Sequence, residues 1–158
     1  MQVSKLFFCA VLSIAVIKTN AQRISFELLK GSWQTSKESR DIKIFGNYKL
    51  SFNGYNARCY LKSLWNFDSD STGTISIPAS EFCNQAVTMP FKYQLLEAAG
   101  YGGPVYKLPV LFENGFSDVL YIHWDGKEKL LIGYNQVLEG SMASDNRVSI
   151  NYTLKKKK

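Results

Sequence analysis

Histidine is nearly absent from this chain: His123 is the only one in 158 residues. A single imidazole allows no His-pair metal site and no repeated acid–base pairing. Cysteine is scarce as well. Cys9, Cys59 and Cys83 are the full set, and the last two with one distant histidine do not fill a tetrahedral metal site. Ser117-Asp118 lies near His123 in sequence, but the Gly-x-Ser-x-Gly elbow that would present a nucleophile is missing. Gly100-Tyr-Gly-Gly-Pro104 is followed by no Lys-Ser/Thr and no helix, so it is not a phosphate loop. These absences argue against an enzyme, a metal and a cofactor.

Apolar length is also lacking. Leu6 to Ile17, broken only by Ser13, falls short of the ~20 residues of a membrane-spanning helix. Lys5 precedes it, and Thr19-Asn20-Ala21 places small residues where a cleavage site needs them. Residues 1–21 therefore read as a signal peptide, with the mature chain expected from Gln22. Cys9 would leave with it. Phe8 is bulky where a lipoprotein cysteine follows a small residue, so no lipid anchor is expected. The expectation is a secreted monomer, periplasmic or extracellular, with no transmembrane anchor. Cys59 and Cys83 are then an even pair in an oxidising compartment. A bridge between them would close a loop of about 25 residues, stabilising by roughly 3 kcal/mol in the chain-entropy model.

Net charge is the next absence. Of 19 Lys and Arg, Lys5 and Lys18 fall in the leader and Lys155 to Lys158 form a terminal run; the 13 that remain match the 13 Asp and Glu. A neutral domain offers no basic face for nucleic acid. Residues 22–154 read as one domain, and 155–158 as a solubilising basic tail.

What is present is strand and aromatic ring. Ile24 to Leu29 reads as one helical turn or an arm, and Gly31 to Thr35 as a first strand. Gly46-Asn47 is a hairpin signal between Ile42–Phe45 and Tyr48–Phe52. Leu64–Phe67 turns through Asp68 to Gly73 into Thr74–Ile77. Phe91 to Leu95 alternates apolar and polar, as do Val148 to Leu154. Gly100 to Pro104 reads as a wide turn whose Tyr101, with Tyr106, could rim a barrel mouth. Pro109 inside Val105–Phe112 marks an edge strand or a broken one. Val119–Trp124 and Leu130–Tyr134 flank a hairpin at Asp125-Gly126-Lys127. Eight or nine short strands at this spacing predict an all-β fold, an eight-stranded antiparallel up-and-down barrel or a β-sandwich.

Two stretches carry a resemblance. Leu29-Lys-Gly31-Ser-Trp33-Gln has the Gly-x-Trp that opens the first lipocalin strand. Arg58-Cys59 through Trp65, the turn to Gly73, then Cys83 and Phe91 to Leu95 resemble the lipocalin-like secreted proteins and lipoproteins of Bacteroidetes. The resemblance spans roughly 29–157, with its specific part at 58–95. It implies the eight-stranded barrel and a Cys59–Cys83 disulfide. It implies no catalytic residues.

A barrel of this size can just enclose a small ligand or fill with side chains. Trp65, Phe67, Ile75, Ile77, Tyr93, Leu95, Tyr134 and Ile150 are the expected inward residues. Of these, Trp65, Phe67, Tyr93, Leu95 and Tyr134 are candidate walls of a site for a small apolar or amphipathic ligand. Trp33 is expected to close one barrel end. The competing expectation is a protein- or glycan-binding module with a filled core. Asp68-Ser-Asp70-Ser-Thr72-Gly73 resembles the start of a calcium loop, but Ala79 stands where a bidentate Glu is needed, so it reads as a plain turn. His123 shares the face of Tyr121 and is expected to be exposed.

Overall fold

The computed structural model describes residues 24–41, 50–100, 103–124, 128–137 and 147–158. The signal segment with Cys9 and the Gln22 start, residues 42–49 with the Gly46-Asn47 turn, Tyr101, and Asp125-Gly126-Lys127 lie outside these residues. The chain opens on α1 (Phe26–Leu29), where the Ser25 hydroxyl accepts the Leu28 N–H at 3.3 Å. Strand β1 (Gly31–Asp41) follows, then a short hairpin of β2 (Ser51–Phe52) and β3 (Tyr55–Asn56), and a 3-10 turn at Ala57–Tyr60. The remaining strands are β4 (Leu64–Phe67), β5 (Thr72–Ile77), β6 (Val87–Tyr93), β7 (Leu96–Gly100), β8 (Gly103–Phe112), β9 (Ser117–Trp124), β10 (Lys129–Val137) and β11 (Arg147–Lys156).

Eight of these strands close into an antiparallel ring in the order β1, β4, β5, β6, β8, β9, β10, β11, with β11 returning to β1. The fold is thus the barrel and not the two-sheet sandwich. Period-two patterning builds it. Trp65 and Phe67, Ile75 and Ile77, Phe91 and Tyr93, and Val148, Ile150, Tyr152 and Leu154 are all buried, with exposed or half-buried residues between them. Gly73 sits among the inward positions because a Cβ there would lie 2.6 Å from the Phe91 ring.

Pro109 neither makes β8 an edge nor breaks it. β8 pairs with β9 on one side, Pro109 opposite Val119, and with β6 and then β7 on the other. The Pro109 carbonyl accepts the Gln94 N–H at 3.1 Å. A strand residue directs its N–H and C=O to the same neighbour, so the proton that proline lacks is missing on that side alone. The interruption falls in the partner, where β6 ends at Tyr93 and β7 begins at Leu96. Both keep one register on β8, so β7 continues β6 beyond the end of β5 and lies outside the ring. Pro90 repeats the device, its carbonyl accepting the Glu113 N–H at 3.4 Å. Strand pairing extends into the stretch expected to be a wide turn at 100–104, with Gly100 opposite Gly103.

Each barrel end has its own cover. At one, Trp33 is buried beneath α1 and its Nε1 donates to the Leu29 carbonyl at 2.7 Å. The Lys156 ammonium lies 5.3 Å from the Trp33 ring centroid, so the last strand reaches two residues into the basic run. At the other, segment 50–63 folds over the opening and buries Leu50, Phe52, Cys59 and Tyr60. The Cys59–Cys83 disulfide, with Cα atoms 5.4 Å apart, ties that segment to the loop after β5. Arg58 stacks beside it at 5.1 Å from the Phe82 ring centroid.

Candidate ligand-binding site

A bulge in β1 creates the polar part of the interior. The register on β11 shifts between Thr35 and Lys37, which restarts the inward–outward alternation one residue late. Trp33 and Thr35 are buried before the bulge, and Ser36 and Lys37 are exposed at it. Glu38 and Arg40 then turn inward, opposite Tyr152 and Ile150. Their side chains are 7% and 25% exposed and form an ion pair between Glu38 Oε1 and Arg40 Nε. Asp118 on β9 alternates with the buried Leu120 and Ile122. Tyr134 on β10 lies opposite Ile150, and Gln136 Oε1 accepts the Ser51 N–H at 3.0 Å. Tyr152 on β11 donates its hydroxyl to the Ala57 carbonyl at 2.9 Å.

The register places these groups together: Tyr134 faces Ile150, which faces Arg40, and β9 with Asp118 lies beside β10. Burial pushes the Tyr134 phenol well above its ordinary range; the nearby Tyr152 hydroxyl draws it back, Glu38 and Asp118 push it further up, and Arg40 lowers it. The Tyr134 hydroxyl is buried with no partner in hydrogen-bonding geometry, and the Tyr152 hydroxyl donates to Ala57. Tyr106 on β8, opposite Ile122, carries a second buried hydroxyl without a partner. Burial also holds the Asp118 carboxyl above the usual range, offset in part by the Val119 N–H at 2.6 Å. Aromatic rings from the covering segment complete the surroundings. The Phe52 centroid lies 4.8 Å from Tyr134 and 5.4 Å from Phe116, and Tyr60 lies 5.7 Å from Tyr152.

Of the five residues expected to wall a ligand site, only Tyr134 stands at this polar group. Trp65, Phe67 and Tyr93 occupy the opposite wall, on β4 and β6, and pack ring to ring. Phe67 lies 5.4 Å from Tyr93 and 5.8 Å from Phe91, and Trp65 lies 6.5 Å from Phe91. Their polar atoms are already engaged: Trp65 Nε1 donates to Ser63 Oγ and the Tyr93 hydroxyl to the Asp68 carbonyl, both at 2.9 Å. Leu95 is half-buried past the last β5 pairing. Glu38, Arg40 and Asp118 were not legible as inward residues by composition. Asp118 could have been found from its shared parity with Leu120 and Ile122.

The other motifs resolve simply. The Asp70 carboxylate accepts the Thr72 N–H at 3.2 Å and the Thr72 hydroxyl at 2.5 Å, which holds it below the usual range and closes a plain hairpin turn. His123 is exposed on the outer face, opposite Leu131. No cluster of three metal-ligating side chains occurs among the described residues, and no helix among them is long and apolar enough to cross a membrane. No family model, curated protein or solved structure matches the chain.

Proposed function

We propose that this is an exported, non-enzymatic binding protein related to the lipocalin-like proteins of Bacteroidetes, and that it holds a small amphipathic ligand at the polar end of its barrel. One observation carries the reading: the Tyr134 hydroxyl is buried and unpartnered, at the strand level that carries Arg40 across β11 and with Asp118 inward on the neighbouring strand β9. Such a group forfeits about 1–3 kcal/mol of hydrogen bonding, which the polar head of a ligand would restore. Phe52, Phe116 and Tyr60 supply the apolar contact that small-molecule sites need around a few polar anchors. Export is supported by the Lys5 to Ala21 leader pattern and by the disulfide. The test is native mass spectrometry of the protein purified from its natural compartment, with tryptophan fluorescence against a panel of lipids and small hydrophobes.

A second reading has its own support. The Trp65, Phe67, Phe91 and Tyr93 wall is packed ring to ring, and Leu96, Leu111, Val119, Tyr121 and Leu131 on β7 to β10 are each at least 36% exposed. A filled core with an apolar outer face suits a protein- or glycan-binding module. If nothing co-purifies and no compound changes the fluorescence, this reading replaces the first.

A further inference from the structure

We infer that the ligand head is cationic, an amine or quaternary ammonium on an apolar tail, held by Asp118 and Tyr134. The inference builds on the binding site proposed above. Among the described residues, the charged side chains named at this end of the interior are Glu38 and Arg40 on β1 and Asp118 on β9. Glu38 and Arg40 neutralise one another through their ion pair. Asp118 is left over: half-buried, with the N–H of the following residue as its partner and no ion pair among the described residues. The independent second observation is the Tyr134 hydroxyl, on a residue only 3% exposed and unpartnered, with Asp118 on the same inward parity of the adjacent strand β9.

An ammonium answers both needs. It neutralises a carboxylate that burial disfavours, in surroundings where water screens the attraction less than in bulk. A primary amine also has a proton to give to the Tyr134 oxygen. A quaternary head has none, but it can sit against the aromatic group centred on Phe52, whose centroid lies 4.8 Å from Tyr134 and 5.4 Å from Phe116. A carboxylate head meets one uncompensated negative charge and gains neither contact.

The purified exported protein, disulfide intact, is titrated with dodecylamine, dodecyltrimethylammonium, dodecanol and dodecanoate below their micelle concentrations, by tryptophan fluorescence and calorimetry. Both cations are expected to bind at least about tenfold more tightly than dodecanol, with dodecanoate weakest. Asp118→Asn is expected to remove most of that preference; circular dichroism checks its fold, and the head-group series on the unaltered chain stands without it. Equal binding of all four heads, tighter dodecanoate, or a preference retained in folded Asp118→Asn overturns the cationic inference and leaves the amphipathic-ligand reading in place. Binding of none overturns both.

Discussion

The Tyr152 hydroxyl reaches across the barrel interior and donates to the Ala57 carbonyl at 2.9 Å, 95 residues away in sequence. Tyr152 belongs to the last strand of the ring, and Ala57 to the segment that covers the end; both are fully buried. The wall and its cover are therefore joined by a hydrogen bond that water cannot replace. Tyr152→Phe leaves the Ala57 carbonyl without this donor. It is expected to destabilise the fold by about 1–3 kcal/mol, read as a lower urea midpoint with an unchanged slope.

The disulfide anchors the same segment from outside. Thiol titration of the unreduced protein under denaturing conditions is expected to find neither Cys59 nor Cys83 free. Reduction is expected to cost about 2–5 kcal/mol. The loss should begin locally, because the bridge links segment 50–63 to the loop after β5 rather than two strands of the ring. Hydrogen exchange should accelerate first at Phe52 and Tyr60 and last on β10 and β11. A uniform loss of protection would show that the cover and the ring unfold as one unit.

The parts of the fold that sequence made legible are those with an unbroken period of two. Trp65 and Phe67, Ile75 and Ile77, Phe91 and Tyr93, and Val148 to Leu154 each alternate without a slip, and each became a ring strand. The polar half of β1 was not legible, because the bulge between Thr35 and Lys37 shifts the phase. The expected first strand ends at Thr35, so Glu38 and Arg40 fall outside it. β7 was missed for another reason. Leu96-Glu-Ala-Ala-Gly100 has little strand propensity, and only its pairing with β8 extends it. Pro109 misled because proline removes one donor on one side only, and here that side faces the gap between β6 and β7.

The same two prolines make a prediction for the seam that closes the ring. β6 and β8 meet at Phe91–Phe112, Lys92–Leu111 and Tyr93–Val110. Pro90 and Pro109 flank these pairs, each accepting a bond there and returning none. By contrast, β10 and β11 pair over nine consecutive positions, Lys129–Lys155 to Val137–Arg147. Amide exchange at Lys92 and Leu111 is therefore expected to be faster than at Ile132 and Tyr152. Equal protection at all four would mean that side-chain packing, not the hydrogen-bond ladder, holds the seam closed.

Asp118 has a pH signature that isolates it. Burial raises its folded pKa above the unfolded value, so the folded state binds the proton more tightly. Its favourable contribution is full below the unfolded pKa, near ~3.9, and is lost as pH rises through the raised folded value. Asp70 runs the other way. The Thr72 hydroxyl lowers its pKa, so its contribution is present above the unfolded pKa and lost as pH falls. Comparing Asp118→Asn with the unaltered chain leaves Asp70 common to both and cancels it. The variant is therefore expected to gain stability on the parent as pH rises out of the ordinary carboxylate range, and then to hold a constant advantage once Asp118 is fully ionised. Urea midpoints measured from roughly pH 3 to pH 8 check this, and a difference that stays flat across the series would mean that Asp118 suffers no desolvation. Repeating the series with saturating dodecylamine sharpens the test. An ammonium beside the carboxylate favours its charged form, so the parent's deficit at neutral pH is expected to shrink or change sign with the ligand bound.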